Sequence, residues 1–532
     1  MSTFICSNDY PVVETCKGKL RGFFYKDVFA FYGIPYAQAK RFEMPEEVPA
    51  WEGTKDALSF GYICPILSNP RPSAEVRVTH RFWPDSEDCQ NLNVWTPTIE
   101  KGAKKPVIVW FHGGGFANGS AIEQVCYDGD NLARYGDAVV VTVNHRLNVF
   151  GYLDLSAYGE KYHNSANVGV ADLVASLKWV HDNISAFGGD PDNVTIMGQS
   201  GGGMKVTCMG QIPAAAGLFH KAVILSGVSS PEMSEGRTGS AVLAEEIMKV
   251  LRIDTKDVDD LQKVPTVLLI RATNKALYNL SKQGIVISLE PKQNDYFLGD
   301  PAVVPFSDYF RTVPLWVNSC ISEMGRAQFD KDKDAYTEEE RRAFYVEKYG
   351  DEAKADKAIE LFKKAYPGKN ILYGIDIDVL TRRSSARYAA KKAAESTAPA
   401  YNGVLAFAFP IDGGKGAWHC SDLPFVFHNT EKLPLYDMGE TSDCLQAQMS
   451  GALLNFARTG NPNNDAIPEW KPSTPDTVNT MVFDTVPYAA DNYDKELLEY
   501  IDACGLVTNP FAVMGRMVKD PDEGSDGREW LY

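Results

Sequence analysis

The chain predicts an α/β fold built on a large, mostly parallel sheet with helices on both faces, and three observations carry that expectation. First, six strand-sized runs are apolar throughout rather than alternating: Val107–Phe111, Ala138–Val143, Val194–Met197, Ala222–Leu225, Val313–Val317 and Val404–Phe409. Strands covered on both faces have no solvent side to mark with polar residues. Second, GVADLVASLKWVHDNISAFGG lies between the second and third runs. In it Val170, Leu173, Val174, Leu177, Val180 and Ile184 recur at helical spacing, and Gly188 is a natural stop. Third, strand and helix alternate along the chain, which favours parallel pairing.

No internal repeat, low-complexity tract or Pro/Gly/Ser linker divides the 532 residues, so residues 1–532 read as a single catalytic domain. Two spans, about 230–310 and 325–400, are richer in charge and in helical pattern. TEEERRAFYVEKYG is the clearest case, with Thr337 and Glu340 forming a capping box and Gly350 ending the run. These spans are expected as helical insertions over the sheet, where substrate-shaping elements commonly sit.

Composition narrows the function. The 44% hydrophobic share, with 26 Phe, 25 Tyr and 9 Trp, is ample for a large core. Lys and Arg number 53 against 70 Asp and Glu, and the formal charge of −17 repels phosphate backbones, so nucleic acid is not an expected partner. No apolar run approaches the ~18 residues of a membrane span, and the first twenty residues lack the pattern of a secretion signal. Ten cysteines are scattered without the paired spacing of a zinc site. The expectation is a cytoplasmic protein without a membrane anchor, whose cysteines are mostly reduced.

The chemistry starts at TIMGQSGGGMKV. Gly198-Gln199-Ser200-Gly201-Gly202 follows a strand and precedes a helix, the context required of a G-x-S-x-G nucleophile elbow in an α/β-hydrolase. The glycines admit a sharp turn that lifts the Ser200 hydroxyl above the sheet edge. A glycine-rich strand-to-helix turn with no catalytic role is the plain alternative. Upstream, VIVWFHGGGFANGS sets His112-Gly113-Gly114-Gly115 directly after its own strand. Such a loop offers backbone amides to an oxyanion, and no Lys-Ser/Thr follows to make it a phosphate loop. The two motifs together point to a serine esterase.

A serine hydroxyl needs a base held by a carboxylate, in the chain order Ser, acid, His for this fold. Beyond Ser200 the histidines are His220, His419 and His428. His419 follows VLAFAFP by the short loop IDGGKGAW, which suits a loop-borne base. His220 precedes a strand, on the far side from the elbow, and His428 lies farther along. For the acid, Glu323 falls just past the strand VPLWVN, while Asp376 and Asp378 compete from a helical-looking insertion.

With these residues in view, the chain resembles the type-B carboxylesterases, the family that includes the cholinesterases and bacterial p-nitrobenzyl esterases. The resemblance runs from about residue 10 to about residue 485 through GIPYAQAKRF, SEDCQNLNVWTP, VWFHGGGF, VNHRLNVFGYLDL, NSCISEMG, AWHCSDLPFVF and LNFARTGNPN. It implies an α/β-hydrolase fold and hydrolysis of small-molecule carboxylic esters through an acyl-enzyme, with no metal and no cofactor. Carried over by position, Ser200 is nucleophile, Glu323 acid and His419 base, and Gly114, Gly115 and Gly201 supply the oxyanion-hole amides. It further implies buried structural ion pairs Arg41–Glu87 and Arg146–Asp172, and brings Cys64 close to Cys89. The alternatives are a lactonase, amidase or acyltransferase on the same site, or a non-catalytic scaffold. Phe116, Trp418 and Phe425 flank the motifs, either as lining of an apolar gorge or as plain core. One departure stands out: the family usually has Glu-Ser-Ala in its elbow, and this chain has Gln199-Ser200-Gly201. Oligomeric state and the physiological ester are left open by the sequence.

Overall fold

The main sheet of the computed structural model contains eleven strands among the residues described, namely 4–67, 78–228, 236–323, 325, 327, 330–375, 377, 381–411 and 414–506. In chain order they are β1 (Phe23–Tyr25), β2 (Val28–Pro35), β3 (Asn91–Thr96), β4 (Lys105–Phe111), β5 (Val139–Val143), β6 (Gly189–Gln199), β7 (Lys221–Leu225), β8 (Leu315–Cys320), β9 (Ala400–Leu405), β10 (Asn479–Phe483) and β11 (Tyr488–Asp491). Across the sheet they run β1-β2-β3-β5-β4-β6-β7-β8-β9-β10-β11. The stretch from β5 to β10 is parallel, and β1, β2, β3 and β11 pair antiparallel at the two edges. This is the α/β-hydrolase arrangement, and its centre is where the sequence was wholly apolar: β4, β5 and β7 contain no exposed residue.

Strand registers bring the C-terminal ends of the central strands level. Phe111 of β4 lies beside Gly198 of β6, and Gln199 beside Leu225 of β7. Open parallel sheets place their ligand sites outside such ends, because the loops there can vary without disturbing the core. The glycine loop, the elbow, the Glu323 loop and the segment leading to His419 follow β4, β6, β8 and β9 in turn.

The expected helix is α1 (Val168–Asn183), prolonged by a 3-10 turn that Gly188 ends at φ 76°. Helix α2 (Gly201–Met209) starts directly after Ser200. Between β7 and β8 lie α3 (Ala241–Leu251) and α4 (Thr266–Lys282), and between β8 and β9 lie α5 (Glu338–Tyr349), α6 (Glu352–Ala365) and α7 (Arg382–Glu395). The capping box on α5 forms both ways: Thr337 Oγ1 accepts from the Glu340 amide, and Glu340 from the Thr337 amide. Helix α7 is fastened to the sheet by Arg382, which donates to Asp494 at 2.7 Å and to Asn402 of β9 at 2.9 Å. Helix α8 (Glu440–Thr459) follows β9.

One strand differs from expectation. The apolar run Val404–Phe409 is not a single strand: β9 ends at Leu405, and Ala408–Phe409 pairs instead with Lys415–Gly416 in a separate two-stranded ribbon. The first half of β9, Ala400-Tyr401-Asn402-Gly403, is equally buried but hides its polar atoms in pairs, as Asn402 does with Arg382 and Thr480. Of the two ion pairs, Arg146–Asp172 is fully buried and bidentate, at 2.7 and 2.9 Å. Losing one partner would strand a charge in the core, a change that destabilises by roughly 3–5 kcal/mol. Arg41–Glu87 is only partly buried, at 2.8 Å for the Nε contact.

Candidate active site

Ser200 has φ 55° and ψ −127°, a conformation that L side chains rarely adopt. A non-glycine residue is held there only when its surroundings over-determine it. Here its amide donates to the Leu225 carbonyl of β7 at 2.8 Å, and its carbonyl accepts from Met204 in α2 at 3.0 Å. Two neighbouring glycines are required by close approach. A Cβ on Gly202 would lie 2.0 Å from the Phe111 carbonyl, and one on Gly201 would lie 2.3 Å from the backbone of Gly115. The glycine loop after β4 and the first turn of α2 therefore meet backbone to backbone. Gly114 and Gly115 are left-handed, at φ 85° and 62°, and Gly114 closes a turn whose carbonyl accepts from Asn118 at 2.9 Å. Both the sequence-predicted oxyanion loop and Gly201 thus border the elbow.

His419 and Glu323 are joined twice. The His419 amide donates to the Glu323 carbonyl at 2.9 Å, and Nδ1 lies 2.6 Å from Glu323 Oε2. The other carboxylate oxygen, Oε1, accepts from Ser226 Oγ at 2.7 Å, the Cys320 amide at 2.7 Å and Thr381 Oγ1 at 2.6 Å. Burial by itself would raise this carboxyl, but hydrogen bonds from His419, Cys320 and Thr381 hold it below the usual range, so it is an anion. An ionised carboxylate only accepts, so His419 Nδ1 is the donor and Nε2 bears the lone pair.

The rival histidines go elsewhere. His220 Nδ1 accepts from the Val194 amide at 3.1 Å, far down β6 from the elbow, and His428 binds Ser450 and Gln446 of α8. Asp376 and Asp378, the competing acids, lie outside the described residues, as does the chain after residue 506. Trp418 and Phe425 belong to the core, both packed on Phe409, and Phe116 stacks edge-on against Tyr152.

Four neighbours escaped the sequence reading. Ser226 and Thr381 complete the Glu323 anion from residues 97 and 58 positions away. Asp422 is fully buried beside Asn318, which donates to it at 3.2 Å; burial, reinforced by the Glu323 charge, pushes its carboxyl up to about 7. Lys205, one turn into α2, is wholly buried, and its Nζ donates to the His112 carbonyl at 2.9 Å. Burial pulls it down to about 7, and it helps keep His112 and His145, whose rings meet edge-on at 4.9 Å, well below the usual imidazole range after burial itself. Nothing local in GGGMKV distinguishes that lysine from a solvated one.

Cys64 and Cys89 are both buried free thiols, and after burial the nearness of Cys64 is the next cause that pushes the Cys89 thiol up, the proximity that the resemblance implied. No cluster among the described residues could hold a metal ion, and no helix among them is long and apolar enough to cross a membrane.

Comparison with known proteins places this geometry. The Carboxylesterase family model matches residues 9–501. The para-nitrobenzyl esterase of Bacillus subtilis (strain 168) is 32% identical over 489 residues, covering 90% of this chain and 95% of its own. A solved esterase from anaerobic Clostridium hathewayi, described as able to hydrolyze aliphatic aromatic polyesters, is 43% identical with a TM-score of 0.89, over 95% of this chain and 100% of that one. A solved PNB esterase superposes with a TM-score of 0.74 at 30% identity, over 92% and 99%.

Proposed function

The chain belongs to the carboxylesterase family and is a carboxylic ester hydrolase, and on that footing we propose that Ser200, His419 and Glu323 are its catalytic triad, with the amides of Gly114, Gly115 and Gly201 as the oxyanion hole. The observation that carries this reading is the 2.6 Å contact between His419 Nδ1 and a fully buried Glu323 carboxylate, on a histidine whose opposite nitrogen faces the elbow. His419 takes the Ser200 proton as the hydroxyl oxygen attacks the ester carbonyl. The tetrahedral oxyanion is stabilised by backbone amides fixed before the reaction begins, so none has to reorient as charge develops. His419 then protonates the leaving alcohol, the acyl-enzyme remains on Ser200, and a water activated by the same base releases the acid. Glu323 holds the ring in the right tautomer and stabilises its cation.

The relatives are named for p-nitrobenzyl esters and aliphatic aromatic polyesters, and we carry to this chain the chemistry they share, an ester close to an aromatic ring. We also read residues 1–532 as one catalytic domain with helical insertions. A cytoplasmic location belongs to the same proposal.

Labelling by a fluorophosphonate probe tests the mechanism. The wild-type protein takes up one label and loses p-nitrophenyl esterase activity in step, whereas Ser200→Ala folds, stays unlabelled and is inactive. Substantial activity in purified Ser200→Ala would refute the triad.

A further inference from the structure

The base has a second partner that the chain itself supplies. Gln199 Nε2 lies 3.2 Å from His419 Nε2, and Gln199 Oε1 accepts from the Cys420 thiol at 3.3 Å. The hydrogen-bond network fixes which end of the amide is which. Glu323 is anionic and takes the Nδ1 hydrogen, so Nε2 presents a lone pair, and only the amide nitrogen of Gln199 can donate to it. The reverse orientation would set the amide oxygen against that lone pair and lose its acceptor contact with the Cys420 thiol. Gln199 is also 1% exposed, so water offers it no alternative partner.

Resting on the triad reading above, we propose that Gln199 is a positioning residue for the base: in the resting site its amide donates to the Nε2 lone pair and so holds the imidazole in the neutral, Nδ1–H form, and it yields that lone pair to the Ser200 hydroxyl when the nucleophile engages. A glutamate of the same length would do the opposite. Its carboxylate can only accept, so it contacts Nε2 favourably when that nitrogen carries a proton, which is the form that cannot serve as base. A donor to the neutral form disfavours the charged one, and an adjacent anion favours it. Gln199 therefore extends the usable range of the base toward acid. Among the described residues, the charged or titratable groups that act on His419 include Glu323 from the loop after β8, Asp422 three residues onward and the neighbouring Cys420 thiol. They are the same in every variant below, so differences between variants report position 199.

The test is the acid limb of kcat/KM for a p-nitrophenyl ester in wild type, Gln199→Met and Gln199→Glu, read from about pH 5 to about pH 9. Removing the donor in Gln199→Met raises the limb by about half a unit, and adding the anion in Gln199→Glu raises it by about one unit or more. The rising order wild type, Gln199→Met, Gln199→Glu supports the proposal. Any other order overturns it, including lowered kcat with an unmoved limb, which is the signature of a merely structural residue. Should neither variant fold, the wild-type protein labelled with [15N]histidine gives the answer at about pH 8. His419, assigned by its loss in His419→Gln, appears as the Nδ1–H tautomer, and an Nε2–H tautomer overturns the proposal. Failure of the triad reading is separate, since it appears in the wild type as esterase activity that survives Ser200→Ala.

Discussion

Replacing Lys205 by Met should stabilise the protein at neutral pH, and the gain should shrink as the pH rises. Lys205 is held in the fold at about 7, against 10.5 for a free lysine, and the first cause is burial. The folded pKa lies below the unfolded one, so in the window between them the unfolded chain binds more protons. Stability therefore rises with pH from about 7 to about 10.5, and the penalty is fully present below 7. A difference of 3.5 units at about 1.36 kcal/mol per unit makes that penalty on the order of 5 kcal/mol at low pH and about 4 kcal/mol at pH 7. Methionine fills most of the same volume without a charge. It also leaves the buried His112 carbonyl without the donor it has at 2.9 Å, a loss of about 1–3 kcal/mol. The expected net gain at pH 7 is about 1–3 kcal/mol. Urea unfolding of both proteins at about pH 6 and about pH 9 measures it, and the advantage of Lys205→Met should narrow by about 2–3 kcal/mol between those points. His112 and His145 lose the neighbouring Lys205 charge in the variant, which relieves their own penalty at the acid end and adds to the narrowing in the same direction. A difference that stays constant with pH, or widens, would refute the reasoning.

Two further predictions concern the elbow and the cysteines. Gly201→Ala restores the residue usual in the family, yet its Cβ would meet the Gly115 backbone at 2.3 Å. Displacing the proposed oxyanion loop by about 1 Å should lower kcat/KM by about 10²-fold while labelling of Ser200 persists; unchanged kinetics would mean the loop gives way freely. Dithiothreitol should alter neither activity nor Tm of freshly purified protein, because Cys64 and Cys89 are thiols. A Tm that falls by several degrees and recovers on reoxidation would reveal a disulfide closing a loop of ~25 residues, worth about 3 kcal/mol, and would overturn the proposed cytoplasmic location.

What was legible in the sequence had local causes. Ser200 announced itself because the turn needs glycines on both sides, and the approaches at Gly201 and Gly202 account for two of them. The strands β4, β5 and β7 were readable because burial on both faces removes alternation. Strand β9 was misplaced because the apolarity of Val404–Phe409 continues past the point where the chain leaves the sheet, while Asn402 and Gly403 inside it look like loop residues. Asn402 is a strand residue only because Arg382 and Thr480 reach it from elsewhere in the chain. The same holds around the acid. Glu323 could be picked from its place after a strand, but Ser226 and Thr381, which donate to it in a buried site, come from the residue after β7 and the N-cap of α7. Lys205 and Asp422 are ordinary letters in sequence, and only burial gives them near-neutral titration.

The unfavourable features of this fold gather where β4, β6, β7 and β8 end. Ser200 and Ser226 both hold positive φ, at 55° and 47°, Lys205 is buried at the foot of the elbow helix, and Asp422 sits three residues beyond the base with its carboxyl near neutral. Backbone strain of this kind stands at about 1–3 kcal/mol per residue, and each buried ionisable group adds to it. The bonds that balance these terms come from segments distant in sequence: Leu225 holds Ser200, Thr381 holds Glu323, and Lys205 holds the His112 carbonyl at the root of the glycine loop. A change at Leu225 or Thr381 should therefore act on the geometry of the proposed triad before it acts on the global fold, which still rests on α1, the parallel strands and the Arg146–Asp172 pair. Activity, rather than melting temperature, is then the sensitive report on Thr381 and Ser226. Their hydroxyls meet one oxygen of Glu323 while His419 meets the other, so their removal leaves the ring pairing in place but weakens the anion that stabilises its cation.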